Sequence, residues 1–374
     1  WSKTYERTIA EGFDMQTAVA VSIANIAQSE LNFDIYTNYE LKQQKEFVDI
    51  DPIAVKHYMN AMNELGKLNV GEGGNWDTLT QLLKNAIDVD SSFLLAYTML
   101  AHSANQGHGW GSLSLQTARP AAHFAIDSAI KLDQDNHELQ FQLAQIHLYL
   151  DLDYARAGSF FAQRAESRPQ YPLHHVFLAE IDLREGRASE SLRRLATAAA
   201  ADITKLGAQQ AIFFFILSNR QCMAGDCEGA LSSSAKAIKL LSGGEAKTLG
   251  LTAHINNLLA LGRVEEARPL IDEAWRLDGH ISPERYIYAF AMIGETAKAR
   301  DILADSRYEP THHFYLALGH LSLGDIDKTF AAIEGGIEEH NRFLIISMPA
   351  AECWDPIRDD PRFDEMLALL DSKV

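Results

Sequence analysis

The side chains that could do chemistry in this sequence are scattered, and none falls at a spacing that chemistry requires. Two histidine pairs, His174-His175 and His312-His313, invite metal binding. Adjacent residues on a helix point roughly 100° apart, so neither pair sets two ligands on one face. No His-Glu-x-x-His pattern occurs, and both pairs read as histidines near helix starts, facing solvent. Cys222, Cys227 and Cys353 lack a nucleophile's context, and no Gly-x-Ser-x-Gly elbow is present. Gly71-Glu72-Gly73-Gly74 is followed by no Gly-Lys-Ser/Thr, so it reads as an interhelical loop rather than a phosphate cradle. The carboxylate pairs Glu265-Glu266, Glu338-Glu339 and Asp359-Asp360 read as surface or capping charges. The expectation is no catalytic centre, no cofactor and no metal.

Cys222 and Cys227 flank a turn, Met223-Ala224-Gly225-Asp226. A bridge across it is sterically open in an oxidising compartment. Three cysteines in 374 residues are no disulfide framework, however, and two separate buried thiols are the expectation.

The elements that must position these residues show themselves through recurring glycines. Gly186, Gly225, Gly262, Gly294 and Gly324 each stand five residues before a small residue: Ser191, Ala230, Ala267, Ala299 and Thr329. Successive glycines are separated by thirty to thirty-nine residues, the length of one helix–turn–helix repeat. Upstream, Leu178-Ala179, Leu217-Ser218 and Leu316-Ala317 hold equivalent places in a first helix. Downstream, Ser191/Leu195/Ala198, Ala230/Ser234/Ala237 and Ala267/Ile271/Ala274 lie at i, i+4 and i+7, one face of a second helix where a neighbour can approach closely.

Weaker copies lie upstream. One helix runs from Trp76 to about Asp90. Residues 93–101 and 118–132 form a pair split by the glycine-rich insertion Gln106–Gly111, and residues 138–150 and 155–167 form another, closed by Pro169 and Pro172. Residues 13–31 read as an amphipathic helix. At the other end Asp360 caps a helix whose first residue is Pro361.

Composition agrees. Hydrophobic residues make up 47% of the chain, Ala and Leu lead them, and prolines number 10, which favours helix over sheet. The net charge of -18 argues against direct nucleic-acid binding, which needs Lys and Arg to neutralise phosphates. It reads as a well-solvated helical surface. No apolar run approaches the roughly 20 residues that span a bilayer, so no membrane insertion is expected. The first residue is Trp1 rather than Met, so the sequence is expected to start inside a longer protein. The compartment stays open: cytoplasmic, or periplasmic if a membrane segment lies upstream.

With these residues in view, the repeats resemble tetratricopeptide (TPR) repeats. The whole chain resembles the carboxyl-terminal region of bacterial signalling proteins in which a TolB-like segment and TPR repeats follow a winged-helix DNA-binding domain or a class III adenylate cyclase domain. Trp1-Ser2-Lys3-Thr4-Tyr5-Glu6-Arg7 and Phe13-Asp14-Met15-Gln16 look like the end of the TolB-like segment. Ala86-Ile87-Asp88-Val89-Asp90 and Ala129-Ile130-Lys131-Leu132-Asp133 are similar to the closing turns, and Trp354-Asp355-Pro356-Ile357-Arg358-Asp359-Asp360-Pro361-Arg362-Phe363 to the characteristic end. The proline expected after the closing Asp is replaced by Ser91 and Gln134.

The resemblance implies an all-α, TPR-like helical-hairpin solenoid, a right-handed superhelix of about eight or nine helix pairs. A linking segment would occupy residues 1–56 and the array 57–371, with a capping helix at 361–371. It implies a sensory module of a transcriptional regulator, or else of a cyclase or a free-standing scaffold, that binds a protein, a peptide or another ligand, or self-associates. In such arrays the first helix of each repeat lines the groove, which puts Glu180, Asn219, Asn256 and Tyr288 at one equivalent position and Arg184 one turn on. Amides suit peptide-backbone recognition because they donate and accept together. Phe213, Phe214 and Phe215 cannot all face one way, so at least one is a candidate for groove exposure.

Overall fold

A computed structural model describes residues 50–373, apart from 71–73, 110, 170, 205, 207–209, 241–243, 280–281 and 305–311. The sequence-predicted helix at 13–31, the TolB-like tail and Gly71-Glu72-Gly73 lie outside the described residues. Among these there is no strand, and nineteen α-helices are arranged as eight successive hairpins and a closing segment. The hairpins are α1 (Pro52–Val70) with α2 (Trp76–Val89), α3 (Leu94–Gly109) with α4 (Leu115–Leu132), and α5 (His137–Ile146) with α6 (Tyr154–Ser167). Then come α7 (Pro172–Arg184) with α8 (Ala188–Ala200), α9 (Gln210–Met223) with α10 (Cys227–Leu240), and α11 (Gly244–Ala260) with α12 (Val264–Asp278). The last two pair α13 (Ile287–Met292) with α14 (Thr296–Ala304), and α15 (His313–Ser322) with α16 (Ile326–Glu338). The closing segment holds α17 (Arg342–Ser347), α18 (Asp355–Arg358) and α19 (Pro361–Asp371). The fold is an all-α TPR-like helical-hairpin array.

The glycine turns carry it. All five glycines adopt a left-handed φ, between 70° and 96°. Each closes its helix with the same two bonds: at the first, Gly186 N–H donates to Leu183 C=O at 3.0 Å and Arg187 N–H to Asp182 C=O at 2.7 Å. This 5→2 and 6→1 pattern satisfies carbonyls that the helix end leaves open, and glycine alone enters it without a Cβ clash. The seam residues Ser191, Ala198, Ala230, Ser234, Ala237, Ala267, Ile271, Ala274, Ala299 and Thr329 are fully buried, as small side chains at a close helix–helix contact must be. Asp360 accepts from Arg362 N–H at 3.0 Å and so caps α19, with Pro361 at its first position.

Three sequence readings are corrected. The glycine-rich stretch does not split the second hairpin, because α3 runs on through Gln106-Gly107-His108-Gly109. A Cβ at Gly107 would lie 2.8 Å from Leu113 and 3.0 Å from Trp76, so this glycine answers a close approach, while Gly111, at a φ of 73°, sits in the turn that follows the helix. Cys222 and Cys227 are not separate thiols but a disulfide. The left-handed turn at Gly225 folds the chain so sharply that their Cα atoms lie 4.0 Å apart. Nor does the first histidine pair face solvent. His174 is buried against Phe141, Phe161 and Tyr171, and burial pushes its imidazole down to about 4. His313 packs its ring against Gly335 and Gly336, and burial lowers it as well.

Candidate functional site

From α7 to α15 the first helices of successive hairpins pack against one another, and the five candidate residues stand on four of them. Glu180 and Arg184 lie on α7, Asn219 on α9, Asn256 on α11 and Tyr288 on α13. They form a row rather than one pocket, and among the described residues no hydrogen bond joins one of the five to another.

Their surroundings differ. Glu180, 1% exposed, accepts from Arg220 Nε at 2.7 Å and from the Tyr149 hydroxyl at 2.7 Å. Burial, with this carboxylate alongside, holds the Tyr149 phenol well above its ordinary range. Arg184 is buried, donates to Asp371 at 2.7 Å and lies over the Tyr154 ring at 5.6 Å. Asn219 is half-buried and donates to the carbonyl of Phe215 in its own helix at 2.8 Å. Asn256 is half-buried, and its amide oxygen has no hydrogen-bond partner. Tyr288 is half-buried as well, and burial pushes its phenol up to about 12. Phe213, Phe214 and Phe215 are all buried, so none of the three is open to a groove.

The inner surface is already filled, by the closing segment. Helix α17 packs on α7 and α15, and Phe343, Leu344, Ile345, Ile346, Ser347 and Met348 are all buried. One apolar cluster joins these residues to Tyr149, Phe177, Phe213, Phe214 and Leu217 from the middle hairpins. Polar contacts surround the apolar plug. His340 Nδ1 lies 2.9 Å from the carbonyl of Leu150, and Leu115 N–H donates to Glu339 at 2.9 Å. The Arg342 guanidinium lies 5.0 Å from the Tyr149 ring centroid, and Arg220 lies 5.3 Å from that of Phe343. Sequence reading missed Tyr149, Arg220, His340, Arg342 and Phe343, and only the position of Arg220 beside Asn219 could have pointed to one of them. Beside the plug a cavity of about 10 Å³, room for about one water, is lined in part by Gly109, Arg285, His312, Asn341 and Phe343.

A second, open cavity of about 560 Å³ lies at the end of α5, where the helix widens into a π turn, His147–Asp151. Asp151 accepts from Arg119 at 2.8 Å and pairs with His123 at 2.9 Å and His147 at 2.8 Å. Burial alone would raise this carboxyl, but the histidine hydrogen bonds hold it down to about 2, and His123 is raised in return. Among the described residues no group of three His, Cys, Asp or Glu side chains could hold a metal ion, and no helix is long and apolar enough to cross a membrane.

No family model matches the chain, and no curated protein does. Among solved structures it is similar to yeast Tom70, with a TM-score of 0.41 and 17% identity over 86% of this chain and 69% of that one. It is also similar to the TPR domain of P58(IPK), with a TM-score of 0.22 and 15% identity over 97% of this chain and 98% of that one.

Proposed function

We propose that this chain is a non-catalytic module that binds a protein or peptide on the inner face of its hairpin array, with self-association as a second mode. The observation behind this reading is that the inner face already seats a peptide segment, α17, on rings and aliphatic side chains supplied by successive first helices. The row Glu180, Arg184, Asn219, Asn256 and Tyr288 would contact the ligand, the amides reading its backbone. Nucleic acid is not its ligand in this reading.

The finer reading follows the sequence resemblance. Residues 1–56 link a TolB-like segment to the array at 57–371, which serves as the sensory part of a bacterial winged-helix transcriptional regulator. A cyclase is the alternative effector. The Cys222–Cys227 disulfide supports a periplasmic array, because such bonds persist in oxidising compartments.

Capture of a partner by the immobilised full chain, with loss of capture for Asn219→Ala and Asn256→Ala and no turnover, is the expected result. Sedimentation and capture that show neither partner nor self-association would refute it. Reading the gene upstream of Trp1 decides the effector.

A further inference from the structure

The turn that leads into α17 has the hydrogen bonds of the glycine turns without a glycine. His340 N–H donates to Ile337 C=O at 3.2 Å and Asn341 N–H to Gly336 C=O at 2.7 Å, the same 5→2 and 6→1 pair. Where five other turns place glycine, this one holds His340 at a left-handed φ of 51°. Among the described residues the only other non-glycine with positive φ is Leu152, at 56°. Leu152 follows the π turn that contains Leu150, and Leu150 is the residue whose carbonyl meets His340. Both strained residues thus flank one contact. A left-handed conformation is costly for a histidine and more so for a leucine, and such strain persists only where surroundings enforce it, often at switch regions. π turns concentrate at functional sites too.

The plug also fits its seat imperfectly. Arg220, 2% exposed, leaves Nη1 without a partner, and Arg342 leaves a buried Nε in the same state. Buried guanidinium nitrogens without acceptors cost free energy that a better-matched ligand would recover.

We propose that residues 341–348 act as an internal ligand closing the inner face, and that the external ligand displacing them is a short apolar helix led by an aromatic residue, as Phe343-Leu344-Ile345-Ile346 is. The inference deepens the protein-binding reading and rests on it. His340 is the latch. Its bond to Leu150 holds the turn closed, and its release lets α17 swing out about the junction with α16 while the hairpins keep their seams and glycine turns. A carboxylate or backbone carbonyl on the incoming peptide would take the free Arg220 nitrogen.

The test uses the full chain and a fluorescent peptide of residues 341–350. His340→Ala removes the imidazole bond and keeps the costly left-handed backbone, whereas His340→Gly relieves that cost and serves as the control for the fold. The peptide should bind His340→Ala one-to-one and at least tenfold more tightly than the unaltered chain, while a scrambled peptide does not bind. In hydrogen exchange, added peptide should deprotect 341–348 and leave α7 and α9 protected. In the unaltered chain alone, 341–348 should exchange through an opening faster than that of α9. Equal affinity for the two chains, no binding to either, binding without deprotection of 341–348, or exchange of 341–348 only on global unfolding would each overturn the proposal. Partner capture that persists alongside any of these results would remove the closure and leave the module reading standing.

Discussion

Replacing Glu180 with alanine tests the buried network that joins the third, fourth and fifth hairpins. In the folded chain its carboxylate takes the Arg220 Nε and the Tyr149 hydroxyl, both at 2.7 Å, with Arg220 only 2% exposed. Removing one partner strands a guanidinium in the core, at a cost of about 3–5 kcal/mol, and leaves the Tyr149 hydroxyl unpaired for about 1 more. We expect a loss of about 5 kcal/mol, or a melting temperature lower by about 6 °C in a chain this large. The comparison is Asp371→Ala, which removes the partner of Arg184. Asp371 is 71% exposed, so water can replace its carboxylate at the edge of the buried Arg184, and that change should cost only about 1–2 kcal/mol. A third variant, Glu180→Leu with Arg220→Leu, removes both charges and should recover most of the loss, because a buried pair is no more stabilising than well-packed apolar groups. Urea unfolding followed by circular dichroism measures all three. A Glu180→Ala loss within 1 kcal/mol of the Asp371→Ala loss would refute the assignment of Glu180 and Arg220 to one buried pair.

Gly262→Ala should destabilise the array by about 1 kcal/mol although nothing lies within 4 Å of the added carbon, because the cost comes from its φ of +70°; thermal melts check this. Asp151→Asn should destabilise most between about pH 4 and pH 6.5, where the carboxylate is ionised and His123 is charged. The raised His123 contributes stability below its unfolded value that fades as pH rises through its folded value, so the difference between the two chains should narrow there. His174 is lowered to about 4, so the unfolded chain binds more protons between about 6.5 and 4 and stability falls with pH across that window; His174→Phe should flatten this part of the acid profile in urea midpoints. Reducing the Cys222–Cys227 bridge opens a six-residue ring and should cost no more than about 2 kcal/mol, read as a lower melting temperature in reductant.

The hairpins were legible in the sequence because their determinants are local. A left-handed turn demands glycine, and a close helix–helix seam demands Ala, Ser or Thr at i, i+4 and i+7, so Gly186 to Gly324 and their seams mark themselves. The closing of the inner face left no such mark. Glu339 meets Leu115, His340 meets Leu150, and Asp371 meets Arg184, contacts between residues almost 200 or more positions apart that no periodicity encodes. His340 was invisible because it fills a glycine's place without being glycine. Phe213-Phe214-Phe215 looked partly exposed because a first helix normally has a solvated inner side, and here α17 and its neighbours cover it. The same covering explains why Glu180, aligned as a groove position, is buried with partners of its own. The disulfide was geometrically legible from the turn, and cysteine counting argued the wrong way.

The closed arrangement is tested most directly by the distance between the second hairpin and the end of the eighth. Nitroxides at the exposed positions Gln116 and Glu338, neighbours of the Leu115–Glu339 contact, can be measured by double electron–electron resonance in the full chain. One narrow, short-distance population is expected. A broad or long distribution in the unliganded chain would contradict an array closed around its own carboxyl-terminal segment.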